Sequence, residues 1–299
     1  MKKLLLVIAS AGFLFTSCQK EDNETPSANL QNPTNRLSGP GFVMISPLPS
    51  TFIKKILIEE YVGTSYGQVP EANYDLQQIL TSNPGRVYSV GMHYNDPLST
   101  TQTYLMLNKL GNNNPSIPCG TVDRTMSNGT LFTDSKTFGN IVSTTLSASQ
   151  NCGIALSSTV TRKIANIDIY CGFIAALPGT YKVTAYLIED KVRNNISNLQ
   201  QANAFNTTFG SPFFQMGNPI QYYAHNNVLS KVITNSSGDA ISPSANKPGG
   251  QFIDHLKIDM PSKLDASSKF LIVAFITNTT TNEIVNVQQA PLGQIKDWN

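Results

Sequence analysis

The segment IEEYVGTSYGQVP, residues 58–70, decides the fold of the first half of this chain. Its apolar and β-branched side chains continue a run that begins at Lys54, which predicts a strand over residues 54–62. The glycine-containing run 63–67 breaks that strand. Pro70 then opens a helix, because proline is tolerated in a first helical turn, and the apolar residues that follow recur at helix spacing: Val69, Ala72, Leu76, Ile79 and Leu80.

The pattern of strand and helix continues downstream of this segment. The sequence predicts a strand over 86–94, a helix over 101–110, a short strand over 116–125, a partner strand at 131–132 and a helix over 135–148. Asn128-Gly129, between the last two strands, is a strong hairpin signal. The resulting order is β-α-β-α-β-β-α.

The second half, from Cys152 onward, is predicted to consist of strands. Residues 152–160 and 164–173 form a candidate hairpin around Thr161-Arg162, and that turn sets Cys152 opposite Cys171. In an exported protein this register would allow a disulfide, and two buried free thiols are the alternative. Further strands are predicted at 180–189, 227–233, 251–258, 270–278 and 283–289, with a polar, aromatic-containing excursion at 199–223.

Two motifs in the first half resemble thioredoxin-like proteins. Residues 58–70 resemble their strand-to-helix turn, which in many relatives reads roughly E-E-F-T-G-x-W-C-G-x-C-P. The segment IPCGTVDR, residues 117–124, resembles the segment that carries their cis-proline, so the resemblance implies a cis bond at Pro118. In the second half, YLIED at 186–190 and YAHNNVLS at 223–230 resemble motifs of the outer membrane protein 28-related lipoproteins.

The resemblance to that lipoprotein family covers about residues 50–299 and implies a fold class of α/β plus all-β. We expect a thioredoxin-like domain over residues 51–148, followed by an immunoglobulin-like β-sandwich over residues 149–299.

The chain departs from its relatives at the two redox positions, which hold Tyr66 and Val69 instead of cysteines. Thiol–disulfide exchange needs a thiolate and a second, resolving thiol, and neither side chain supplies sulfur. We therefore interpret the turn as a vestigial redox turn in an inactive domain. Cys119, next to Pro118, is the nearest thiol and is either a small buried hydrophobe or a reactive thiol.

The N-terminus has the pattern of a lipoprotein signal. Two lysines precede a short apolar run, and the run ends in Phe15-Thr16-Ser17-Cys18, which resembles a lipobox. We expect residues 1–17 to be a cleaved signal peptide, Cys18 to be lipidated, and residues 18–50 to form a flexible tether. The alternative is an ordinary secretory signal cleaved near Ser17. The lysine and acidic cluster after Cys18 favours display on the outer face of the outer membrane.

Composition excludes several classes of partner. The chain has 40% hydrophobic residues, 13% charged residues and a net charge of +2 without a basic cluster, so no nucleic-acid partner is expected. His225, together with Glu189 and Asp190 of another motif, invites a metal hypothesis, but one histidine does not complete a zinc site, and we expect no metal and no cofactor. No complete catalytic motif is present.

The sequence favours a non-enzymatic lipoprotein of the outer membrane, anchored through the lipid on Cys18 and exposed at the cell surface. Its expected role is binding or adhesion to an extracellular or envelope protein or a glycan. Two alternatives stay open: a thiol-dependent chaperone or oxidoreductase-like protein of the envelope that uses Cys119, and a structural subunit of a surface complex.

Overall fold

The computed structural model describes residues 45–193, 199–263 and 267–299. The predicted signal peptide, Cys18 and residues 18–44 of the predicted tether lie outside this part of the chain. The elements in chain order are β1 (Ile56–Val62), α1 (Val69–Ser82), β2 (Val87–His93), α2 (Thr101–Lys109), β3 (Cys119–Val122), α3 (Ser135–Thr145), β4 (Cys152–Thr161), β5 (Ile164–Phe173), β6 (Tyr181–Asp190), β7 (Val228–Val232), β8 (Asp239–Ala240), β9 (Gly250–Asp259), β10 (Lys269–Asn278), β11 (Ile284–Pro291) and β12 (Ile295–Lys296). Within the described ranges, no helix is long and apolar enough to cross a membrane.

A mixed sheet of eight strands forms the centre of the described chain. Its order is β11-β10-β6-β7-β2-β1-β3, and β8 pairs with β6 outside this path. Strands β1 and β2 are parallel and are connected through α1, whereas β3 is antiparallel to β1. A parallel contact between Gly91 on β2 and Val228 on β7 joins the two halves. The sheet therefore crosses the predicted domain boundary between residues 148 and 149.

The helices cover both faces of the β1–β3 end of this sheet. Side chains of α1 and α3, including Leu76 and Phe138, pack with Ile56 and Ile58 on one face. Met106 and Leu107 of α2 belong to the core on the opposite face. Burial on both faces explains why the central strands of this region have apolar side chains at consecutive positions.

The four remaining strands form a separate antiparallel sheet with the order β12-β4-β5-β9. Apolar side chains of β4 and β5 form one core with alternate residues of β6 and β10: Ile154, Leu156, Ile167, Ile169, Val183, Ala185, Leu187, Ile272, Ala274 and Ile276. The intervening residues of β6 and β10, such as Tyr186 and Phe275, pack into the core on the other face of the mixed sheet. This two-sided burial accounts for the continuous apolar run of β10.

The predicted register of the first hairpin is wrong by two residues. Strands β4 and β5 are connected by Arg162-Lys163, with Arg162 at φ 59°, and Cys152 pairs with Phe173. The residue opposite Cys171 is Ile154. Side chains alternate with a period of two, so both registers place the same side chains on the same face. The hydrophobic pattern could not separate them, and the position of the turn decides between them.

The disulfide that the sequence left possible is not formed between Cys152 and Cys171. Among the described residues, Cys119, Cys152 and Cys171 are all buried free thiols. The two-residue shift of the hairpin moves Cys152 and Cys171 from directly opposite to diagonal positions. The sequence alternative of two buried thiols is the one that the structure contains.

Trp298 contacts the first residues of the described region. Trp298 packs with Phe52 and with Leu48, and its indole nitrogen donates to the carbonyl oxygen of Ser46 over 2.8 Å. Residues 45–48 of the predicted tether are therefore packed against the folded chain.

Candidate functional site

The turn between β1 and α1 is a tight connection in which Gly63 and Thr64 are buried, whereas Ser65 and Gln68 are exposed. The amide of Tyr66 donates to the carbonyl of Gly63 over 3.2 Å, and the amide of Val69 donates to the carbonyl of Tyr66 over 3.1 Å. A Cβ atom at Gly63 would lie 2.7 Å from the carbonyl oxygen of Tyr94, so only glycine fits there. The side chains of Tyr66 and Val69 pack against the core that contains α2. Both positions therefore hold residues that pack against this core.

Cys119 lies close to this turn, at the start of β3. The preceding Ile117–Pro118 peptide bond is cis, which is the isomer that the resemblance implies. Cys119 pairs with Tyr61 on β1 and is 8% exposed. Burial, together with the charge of Glu60, raises the pKa of the Cys119 thiol to about 12. At pH 7 only roughly one molecule in 10⁵ would carry the thiolate, which is the reactive form.

Glu60, next to Tyr61 on β1, is a buried carboxyl group that sequence reasoning missed. It is 2% exposed, and its Oε1 atom has no hydrogen-bond partner among the described residues. Burial is the main cause, and the charge of Asp75 the second, of a rise in the pKa of Glu60 to about 8. The carboxyl group is therefore held in its neutral form near physiological pH.

The predicted excursion at 199–223 covers the turn. Gln201 is fully buried, and its Nε2 group lies within 3.0–3.3 Å of the carbonyl oxygens of Gly63, Thr64 and Tyr66. The amide of Ala202 donates to Thr64 over 2.8 Å, and the amide of Ala204 donates to Gly67 over 2.9 Å. A Cβ atom at Gly67 would lie 2.9 Å from the backbone nitrogen of Ala204. The backbone of the turn is thus already bound by the chain itself.

His93 and Asp96 brace the turn from the end of β2. Nδ1 of His93 donates to Oδ2 of Asp96 over 2.6 Å, and the same oxygen accepts the amide of Thr64 over 2.9 Å. Burial raises the pKa of Asp96, but the hydrogen bond and charge of His93 and the amides of Thr64 and Leu98 outweigh it and lower the pKa below its ordinary value. Asp96 acts as an ionised connector between β2 and the turn.

His225, Glu189 and Asp190, the residues considered for a metal site, do not form a cluster. Nε2 of His225 donates to the carbonyl of Leu199 over 2.9 Å, whereas Glu189 accepts from Ser268 and Asp190 accepts the amide of Asn227. Burial and the charge of His93 lower the pKa of His225 to about 4. No cluster of three metal-ligating side chains occurs within the described residues.

The distal part of the excursion, residues 205–222, presents apolar side chains to solvent; we call it the aromatic lobe. Phe209 is 91% exposed, and Met216 and Tyr222 are exposed as well. Asn203 fixes the base of the lobe, because its Nδ2 group donates to the carbonyls of Phe213 and Gly217 over 3.0 and 2.9 Å. The lobe therefore combines an anchored base with an exposed aromatic tip.

Comparison with solved structures shows a related fold. The chain is similar to HBP35 of Porphyromonas gingivalis, with a TM-score of 0.60 at 14% sequence identity over 81% of this chain and 76% of that one. A protein from Agrobacterium tumefaciens matches with a TM-score of 0.46 at 14% identity, over 81% of this chain and 96% of that chain. A domain of the outer membrane lipoprotein Omp28 from P. gingivalis matches with a TM-score of 0.31 at 13% identity, over 50% of this chain and 92% of that chain.

Comparison with protein families gives the assignment. No curated protein matches the chain in sequence. The sequence model of the family described as outer membrane protein Omp28 matches residues 112–296, which is more than half of the chain and includes the predicted motifs at 117–124, 186–190 and 223–230. This chain therefore belongs to the Omp28 family of outer membrane proteins.

Proposed function

We propose that this chain is a lipid-anchored outer-membrane protein of the cell surface that binds a partner without catalysing a reaction. Residues 51–148 would form a thioredoxin-like, redox-inactive part, and the strands from 149 to 299 would supply an immunoglobulin-like sandwich. The main support for the proposal is that the chain itself fills the turn between β1 and α1. Tyr66 and Val69 pack against the core, and the side chain of Gln201 donates to the backbone of the turn.

The burial of Cys119 disfavours a thiol-dependent activity. A catalytic thiol needs a lowered pKa and access for its substrate, whereas the Cys119 pKa is raised to about 12 behind a covered turn. The strands and helices from β1 to α3 then serve as a scaffold. In this proposal the membrane anchor is the lipid on Cys18, whose sequence context resembles a lipobox.

The aromatic lobe is the contact surface in this proposal. Aromatic side chains that stay exposed on a rigid base are typical of interaction sites, because they bury a large apolar area at a small cost in conformational entropy. Phe209 supplies the most exposed ring, and it stacks edge-on against Phe214 at 5.8 Å. The partner would be an extracellular or envelope protein or a glycan.

Binding is tested with the mature chain on a panel of extracellular matrix proteins and glycans. We expect Phe209→Ser to reduce binding at least tenfold, while Met126→Ser, which alters an exposed apolar side chain outside the lobe, leaves binding unchanged. Equal binding by both variants would contradict the assignment of the lobe. Protease treatment of intact cells should digest the protein, and protection until the outer membrane is opened would contradict surface display.

A further inference from the structure

A cavity of about 160 Å³ lies on the side of the sheet that carries α2. It is bounded by the end of α2, by β6 and β10, and by the loop that precedes β8. The lining includes three basic side chains, Lys109, Arg124 and Lys182, and the hydroxyl groups of Thr184, Ser237 and Thr277. None of the described residues that line it is acidic. The cavity is separate from the turn that Gln201 covers.

Two of the three positive charges lack an acidic partner in the cavity. The charge of Arg124 is compensated by Glu59, which does not line the cavity, because Nε and Nη2 of Arg124 donate to the two carboxylate oxygens of Glu59 over 2.6 Å each. Among the described residues, the hydrogen-bond partner of the Lys182 ammonium is a neutral group, Oγ of Ser237 at 3.5 Å. Partial burial lowers the pKa of Lys109, and the charges of Arg124 and Lys182 lower it further, whereas the charge of Glu59 raises it. The lining of the cavity therefore contains three positively charged side chains that repel one another.

A buried hydroxyl group in the same cavity also lacks a partner. The side chain of Thr277, on β10, is 5% exposed, and its Oγ1 atom has no hydrogen-bond partner among the described residues. Leaving a buried hydroxyl unpaired costs free energy, and an acceptor oxygen inside the cavity would recover it. Thr277 and the two lysines line the same cavity.

We propose that this cavity binds one tetrahedral oxyanion, a sulfate or phosphate group, that is carried as an ester by a larger ligand. Two lysines without an acidic partner in the cavity supply positive charge for the single charge of a sulfate ester or the roughly one to two charges of a phosphate ester, and the Thr277 hydroxyl donates to one of its oxygens. The volume accommodates a single group of this size. Polar residues at the rim, Ser236, Thr279 and Asn282, leave room for the remainder of the ligand. The inference adds a ligand class to the proposed binding role. Oxyanion binding itself does not depend on that role, whereas the use of the site at the cell surface does.

The test is a titration of the folded, lipid-free mature chain, followed by NMR at constant ionic strength in chloride. The probes are sodium sulfate, sodium phosphate and sodium acetate, and then glucosamine 6-sulfate and glucose 6-phosphate. We expect saturable one-to-one binding of the tetrahedral ions, with no saturation by acetate. Tighter binding of one sugar ester identifies the source as a sulfated or as a phosphorylated ligand.

Variants locate the binding. Lys182→Gln and Lys109→Gln are each expected to weaken sulfate binding at least tenfold, and Thr277→Val at least threefold. Lys136→Gln, which removes an exposed charge on α3 outside the cavity, should leave affinity unchanged. If Thr277→Val fails to fold, the two lysine variants decide alone. Absence of saturation by any probe, or unchanged affinity in both lysine variants, would overturn the site, and neither result affects the tests of surface display or of the aromatic lobe.

Discussion

Replacing Glu60 by glutamine removes one titrating group from the interior, and its effect on stability can be worked out from the structure. Glu60 lies on β1 with 2% exposure and an unpartnered Oε1 atom. Burial and, second, the charge of Asp75 raise its pKa from 4.5 to about 8. Glutamine has the same shape as a protonated glutamic acid and does not titrate.

The direction of the effect follows from proton linkage. Between pH 4.5 and about 8 the unfolded chain has lost the proton of Glu60 while the folded chain keeps it. The free energy of unfolding of the wild type therefore falls as pH rises through this window, by about 1.4 kcal/mol per pH unit. Relative to the wild type, Glu60→Gln should gain about 3 kcal/mol between pH 5 and pH 7.

The assay is urea unfolding, followed by circular dichroism at pH 5, 6, 7 and 8. Other groups with shifted pKa values also make stability depend on pH. The pKa values of Asp123 and Asp254 are raised, mainly by burial, to about 6 and 7, and those of Lys55 and His225 are lowered, mainly by burial, to about 7 and 4. They are present in both proteins, so they cancel when the two profiles are subtracted. Glu283→Gln, at an exposed position, serves as the matched control. A difference between Glu60→Gln and wild type that stays constant over this range would refute the reasoning.

Three further results are expected. Gln201→Ala should lower the free energy of unfolding by about 2 kcal/mol, because buried carbonyls of the turn lose their donor, while Gln200→Ala should change it by less than about 0.5 kcal/mol; equal losses in urea unfolding would contradict the covering role of Gln201. Cys18→Ala should release the protein from membranes into the soluble fraction, since the lipid is the proposed anchor, and retention without a protein partner would contradict lipidation. Peptide mapping without reduction should find Cys152 and Cys171 unlinked, and a linked pair would contradict the register observed for β4 and β5.

Much of the local structure could be predicted from the sequence because short-range signals agree with the fold. The strand, turn and helix around residues 58–70 appear as β1 and α1, and the excursion at 199–223 separates β6 from β7. Periodicity and turn residues are local quantities, so they place elements within a few residues. The interpretation of Tyr66 and Val69 as positions of lost redox cysteines came instead from the resemblance to thioredoxin-like proteins, and it stays a prediction.

Sequence patterns did not predict the contacts between distant segments. The hairpin register failed because the alternation of side chains has a period of two and accepts any even shift. The pairing of β2 with β7 depends on one parallel contact at Gly91, which has no sequence signature. Gln201 is an ordinary polar residue in an irregular segment, and only the folded chain brings it to the turn. Thr277 and Lys182 likewise meet through the pairing of β6 with β10.

Insulin reduction by the purified mature chain, with dithiothreitol as electron donor, measures whether the covered turn has retained thiol chemistry. The wild type and Cys119→Ser are compared with a thioredoxin as positive control and with dithiothreitol alone as the uncatalysed rate. Because Tyr66 and Val69 supply no sulfur and the Cys119 thiol is buried with a raised pKa, we expect both proteins to match the uncatalysed rate. Reduction by the wild type above that rate, and its loss in Cys119→Ser, would contradict a non-enzymatic role.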